Sequence, residues 1–178
     1  MKTKINSIND ALAFMLQGLY FTETRVKEAF PSYCNAVSSP EIKVEISSYM
    51  TSCNDKLLKI ERIFNYLLTE RVSRTNDVIN ELIIETHQML ASTTSSHLRD
   101  VLTIGSVQNI NAYKISGYRS AYMFAVALEL DTVTDLLQQI LEWEIETSKV
   151  LYELSIVEFN KTQNTTTKIQ YHAWDIDS

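Results

Sequence analysis

Apolar residues recur every three or four positions in four long runs, the spacing of a helix that buries one face. The first carries Leu12, Leu16, Leu19, Glu23, Val26 and Phe30, and the second Ile46, Tyr49, Cys53, Lys56, Ile60, Ile63 and Leu67. The third carries Ile104, Val107, Asn111, Lys114, Tyr118, Ala121 and Ala125, and the fourth Val133, Leu137, Ile140, Glu144, Leu151 and Leu154. Capping residues place their limits. Ser7 and Asn9 open a helix over about 8–38, in which Pro31 predicts a kink because proline removes an amide donor. "SSPE" at 38–41 puts a Ser cap before a first-turn Pro, so a second helix runs back antiparallel to near Arg71. A shorter amphipathic segment, 76–91, shows Val78, Leu82, Ile83, Met89 and Leu90. The third helix spans about Ser96 to Glu129, and Asp131 or Thr132 caps a fourth that ends near Asn160. Two antiparallel hairpins joined by one long crossover are the connectivity of a ferritin-like four-helix bundle.

Each run is interrupted near its middle by polar or charged residues: Glu23, Lys56, Asn111 with Lys114, and Glu144. In helices of equal length these positions share one layer. Two carboxylates and two ammonium groups would meet there, each offsetting the burial cost of another. The alternative is that the lysines flank the core and carry their ammonium groups out to water on long apolar stems. Glu23 and Glu144 are harder to explain in that way, since each has apolar neighbours on both sides and Glu is rarely buried alone.

Composition agrees with an all-α fold. Three Gly, two Pro and 45% hydrophobic residues in 178 argue against a β-sandwich or a loop-rich chain. One domain over 1–160 is expected, with a polar aperiodic tail over 161–178. A net charge of −6 without a basic stripe argues against nucleic acid as a partner. The lack of a long apolar run predicts no membrane span and a cytoplasmic setting. Cys34 and Cys53 fall several turns apart across the first hairpin, beyond disulfide reach, and are expected as free thiols.

The stretches "LYFTETRVKEAFPSYCNAVSSPEIK", "KLLKIERIF", "LRDVLTIGSVQNINAYKISGY", "LLQQILEWEIETSKVL" and "VEFNK" resemble, in order and spacing, the YciE/YciF family of ferritin-like bacterial stress-associated proteins. The resemblance covers about residues 7–161 and implies a bundle like those in which Glu and His residues hold two metal ions. Carried over by position, it keeps the first-helix Tyr20 and Glu23. Where the family has second-helix His, Glu and His, this chain has Tyr49, Ser52 and Lys56; where it has Glu-His-Tyr-Glu, this chain has Asn111, Ala112, Tyr113 and Lys114. The fourth-helix acidic cluster remains as Glu142 and Glu144 around Trp143, and its Asp position is Ser148.

Most of the ligands that the resemblance implies are therefore replaced. A di-metal site needs about six carboxylate and imidazole ligands. The histidines, His87, His97 and His172, lie outside the layer, where surface or capping roles are expected. No catalytic residue, metal ligand or cofactor is expected. The vestigial layer would comprise Glu23, Tyr49, Ser52, Lys56, Asn111, Lys114, Glu142, Glu144 and Ser148. The favoured function is a non-catalytic structural or stress-associated protein that self-associates, as a homodimer, or meets a protein partner through aromatic residues such as Tyr33, Trp143 or Trp174. The competing function is a metal-dependent oxidoreductase with a reduced site on Glu23, Glu142 and Glu144.

Overall fold

Each of the four long runs forms the helix its spacing predicts, in a computed structural model that describes residues 5–70 and 73–162. Helix α1 is Ile8–Ala36, and its first turn is capped by Ser7, whose hydroxyl oxygen accepts from the Asp10 amide at 3.1 Å. It runs unbroken through Pro31. After an extended Val37, Ser39 and the first-turn Pro40 open α2, Pro40–Tyr66. α3 is Asp77–Ala91, α4 is Ser96–Ala127 and α5 is Asp131–Thr162; no strand occurs among the described residues.

Several limits differ from the expectation. α2 stops at Tyr66, short of Arg71, because Leu68 turns left-handed at φ 51° and the Thr69 amide closes back on the Phe64 carbonyl at 3.1 Å. α4 stops at Ala127, short of Glu129, in the same way: Glu129 turns left-handed at φ 55° and the Leu130 amide donates to the Ala125 carbonyl. Asp131 is already helical and supplies first-turn negative charge rather than a preceding cap. In α3 the Asn76 side chain caps the Val78 amide, and that start turns Ile79, Ile83, Thr86 and Leu90 inward. Val78, expected on the buried face, is 52% exposed.

α1 packs against α2 and α4, and α5 against α4 and α2, which closes a four-helix ring; α3 lies across α1 and α4. The crossover is pinned where the Arg74 amide reaches the Gln17 carbonyl of α1 at 3.4 Å. The interior divides into two apolar clusters. One, with Val26, Phe30, Ile46, Ile110 and Leu151, fills the end near the α1–α2 turn, and the other, with Leu12, Leu16, Ile60, Ala125 and Leu137, fills the opposite end. Tyr33, expected on an exposed aromatic face, lies wholly inside the first cluster. Its spacing of three residues from Phe30 puts it on the same buried face. Cys34 and Cys53 are both free. Trp174 and His172, with the rest of the tail from residue 163, lie outside the described residues.

Candidate functional site

Between the two apolar clusters sits a charged layer. Glu23 of α1, Lys56 of α2, Lys114 of α4 and Glu144 of α5 are each 0% exposed. The stripe spacing turns all four inward, and the ring of helices brings them to one height. Lys114 Nζ bridges the two acids, 2.9 Å from Glu23 Oε2 and 2.8 Å from Glu144 Oε1. Lys56 Nζ lies 2.5 Å from the same Glu144 oxygen. Both ammonium groups thus converge on one carboxylate oxygen as ion pairs.

Neutral donors satisfy the remaining oxygens. Tyr118 donates to Glu23 Oε1 at 2.6 Å. Tyr49 and the Asn111 amide both donate to Glu144 Oε2, and Asn111 also reaches the Glu144 main-chain carbonyl at 3.0 Å. The Tyr49 ring faces both cations, with Lys56 Nζ 4.6 Å and Lys114 Nζ 4.4 Å from its centroid, a cation–π arrangement out of reach of water.

The electrostatics follow from this geometry. Burial pushes the Glu144 carboxyl upward, but Lys114 and Lys56 outweigh it and hold the group at about 2. Burial alone would lower Lys114, yet Glu144 and Glu23 hold it well above the ordinary lysine value. The phenols of Tyr49 and Tyr118 are raised by burial and by their carboxylate partners, so both remain protonated donors. Burial, reinforced by Glu23, pushes the Cys53 thiol up to about 12, which suppresses its nucleophilic form. The layer is a set of mutually compensated charges in which the Cys53 thiolate is suppressed.

Of the residues singled out from sequence, Glu23, Tyr49, Lys56, Asn111, Lys114 and Glu144 come together. Three do not. Ser52 is half-buried and bonds back to the Tyr49 carbonyl in the groove between α2 and α5. Glu142 is exposed and accepts from Gln138, since two residues from Glu144 is a different helix face. Ser148 lines a separate groove between α4 and α5. Tyr118 and Cys53 were readable only as stripe members; the polar atom of Tyr118 completes the Glu23 shell.

A second polar network closes the end of the bundle near the α1–α2 turn. Asp100 accepts from the Ser38 amide and hydroxyl at 2.6 and 2.5 Å and from the Ser39 amide at 3.1 Å, capping α2 from another helix. Glu158 accepts from the Ser39 hydroxyl at 3.1 Å and from Lys161 at 2.6 Å. His97 Nδ1 lies 3.8 Å from Glu158.

The model of a domain of unknown function, DUF892, matches residues 7–164. The chain belongs to this family. It is 23% identical to protein YciF of Escherichia coli K12 over 158 residues, 88% of this chain and 95% of that one. The crystal structure of the E. coli stress protein YciF superposes with a TM-score of 0.84 at 22% identity, over 88% of this chain and 99% of that one. YcfI from Rhodopseudomonas palustris superposes with a TM-score of 0.82 at 18% identity, over 85% and 97%. These likenesses establish the helical, YciF-like fold.

A di-metal centre of the kind that ferritin-like bundles carry does not fit this layer. Its donor set is two carboxylates without an imidazole, and the space between them holds two ammonium groups whose charge repels a cation.

Proposed function

We propose that this chain is a non-catalytic, ferritin-like structural or stress-associated protein in which fixed charge stands where relatives of the bundle class hold metal. The observation that carries this reading is Lys114 bridging Glu23 and Glu144 at 2.9 and 2.8 Å with no solvent exposure. Lys56 and Lys114 supply the positive charge that balances the two carboxylates, so Glu23, Tyr49, Lys56, Asn111, Lys114 and Glu144 form a vestigial metal layer. YciF is described as a stress protein and YcfI as a candidate structural protein, and neither description names a reaction. The raised Cys53 thiol and the paired carboxylates likewise offer no group poised for catalysis.

In this reading the domain over 1–160 acts through self-association, as a homodimer, or through a protein partner in the cytoplasm, without cofactor or nucleic acid. Trp143, 39% exposed, leaves aromatic surface for such a contact. No helix among the described residues is long and apolar enough to cross a membrane. Elemental analysis of protein purified from metal-supplemented culture tests the central claim. Iron, manganese and zinc should each stay well below one per chain. A content of about one or two metals per chain, lost together in Glu23→Ala and Glu144→Ala, would restore the metal-dependent oxidoreductase that ligands of the carboxylate type imply.

A further inference from the structure

We propose that the pocket between α1, α4 and the crossover at 73–76 binds a small oxyanion, phosphate or a phosphate monoester, with Arg74 as its cationic anchor. The pocket has a volume of about 210 Å³ and is lined by residues including Phe14, Gly18, Arg74, Tyr113, Ser116 and Gly117. Among the described residues Arg74 is the one charged residue lining it. In a chain with 22 acidic and 16 basic residues, that arginine pairs with no carboxylate among the described residues. Its guanidinium instead stacks on the Phe14 ring, 3.8 Å from the centroid. One nitrogen, Nη1, reaches the Thr75 carbonyl at 3.3 Å, and Nε is buried without any hydrogen-bond partner. An arginine without a carboxylate partner, stacked in place and tied only through Nη1 to one main-chain carbonyl, keeps outer guanidinium N–H groups for an oxyanion, since Nε itself is out of the pocket's reach.

The surroundings agree. Two of the chain's three glycines let side chains of the pocket wall pack closely: a Cβ on Gly18 would stand 2.6 Å from Arg74 Nη2, and one on Gly117 would stand 2.9 Å from Leu19 Cδ2. Tyr113 accepts from the Asn76 amide at 2.6 Å, which leaves its own proton to donate. The Ser116 hydroxyl is a further neutral donor beside the pocket. By contrast, the groove of about 330 Å³ between α2 and α5 is lined by Glu45, Asp55 and Glu146, and would repel the same ligand.

Isothermal titration of the full chain with inorganic phosphate and, separately, with glycerol 3-phosphate tests the assignment. At least one of them should bind saturably at one per chain, and binding should weaken as chloride is raised. Arg74→Met should weaken it by about tenfold or more, the worth of a charge-assisted hydrogen bond, and Ser116→Ala by a few-fold. Binding of inorganic phosphate assigns the site to the free ion; binding of the monoester alone assigns it to organic phosphates. Absence of saturable binding by either probe overturns the proposal, as does binding undiminished in Arg74→Met. Should Arg74→Met fail to fold, Tyr113→Phe and Ser116→Ala decide, and undiminished affinity in both overturns it equally.

Discussion

At mid-height, Glu23, Lys56, Lys114 and Glu144 are wholly buried, and their charges are offset by one another. At the end of the bundle Asp100 and Glu158 are nearly as deep, 3% and 2% exposed, yet their charge is met mainly by amide and hydroxyl donors of Ser38 and Ser39 and by Lys161, which is 51% exposed. Depth is alike, but the means of compensation differ. An ion compensated by another ion depends on one irreplaceable partner, and its loss strands a charge in a dry interior. A carboxylate compensated by several dipoles beside solvent loses one donor at a time, and water reaches the gap.

The largest effect should come from Lys114→Met, which leaves Glu23 with the Tyr118 hydroxyl but no cation. Urea denaturation should show a loss of about 3–5 kcal/mol, with much of it recovered when Glu23→Leu is added. Lys56→Met should cost less, because Glu144 keeps Lys114. A midpoint unchanged by either substitution would contradict the buried ion network. Asp100→Ala should have an intermediate effect, about 0.5–2 kcal/mol, the range of a lost helix cap. A loss equal to that of Lys114→Met would erase the distinction between the two regions.

The smallest effect should accompany mild acidification. Glu144 is depressed from 4.5 to about 2, so its contribution is fully present above pH 4.5 and is lost as pH falls through about 2. Melting temperature should therefore owe nothing to this group between pH 7 and 5. The further decline below pH 4.5 should be less steep in Glu144→Gln.

The long helices were legible because each buries a single face, so period alone exposes them. Lys56 and Lys114 were legible for the same reason: a charge flanked by apolar neighbours one turn away on both sides has nowhere else to go. Less was readable where position along a helix had to be taken from likeness rather than from its face, as with Glu142 and Ser148. Tyr118 passed as an apolar stripe member, since sequence does not say where a hydroxyl will point. α3 was found, but its register was not, because the cap at Asn76 decides which apolar residues turn inward. Arg74 lies in a connection without periodicity, and only the fold brings it to Phe14 and Gly18.

The wiring of the charged layer also bears on how the chain assembles. α1 with α2 and α4 with α5 are each hairpins of neighbouring helices, yet Glu23 meets Lys114 across 91 residues and Lys56 meets Glu144 from the opposite hairpin. Within the first hairpin Glu23 finds no lysine partner among the described residues, and within the second Lys114 already meets Glu144 at 2.8 Å. Glu23 and Lys56 each gain a charged partner only when the two hairpins dock at the correct height. A slip by one turn, about 5.4 Å, would move Lys114 off Glu23 and Lys56 off Glu144 while leaving apolar residues against apolar residues. The cross-hairpin pairs thus favour one docking height where the apolar faces alone permit several.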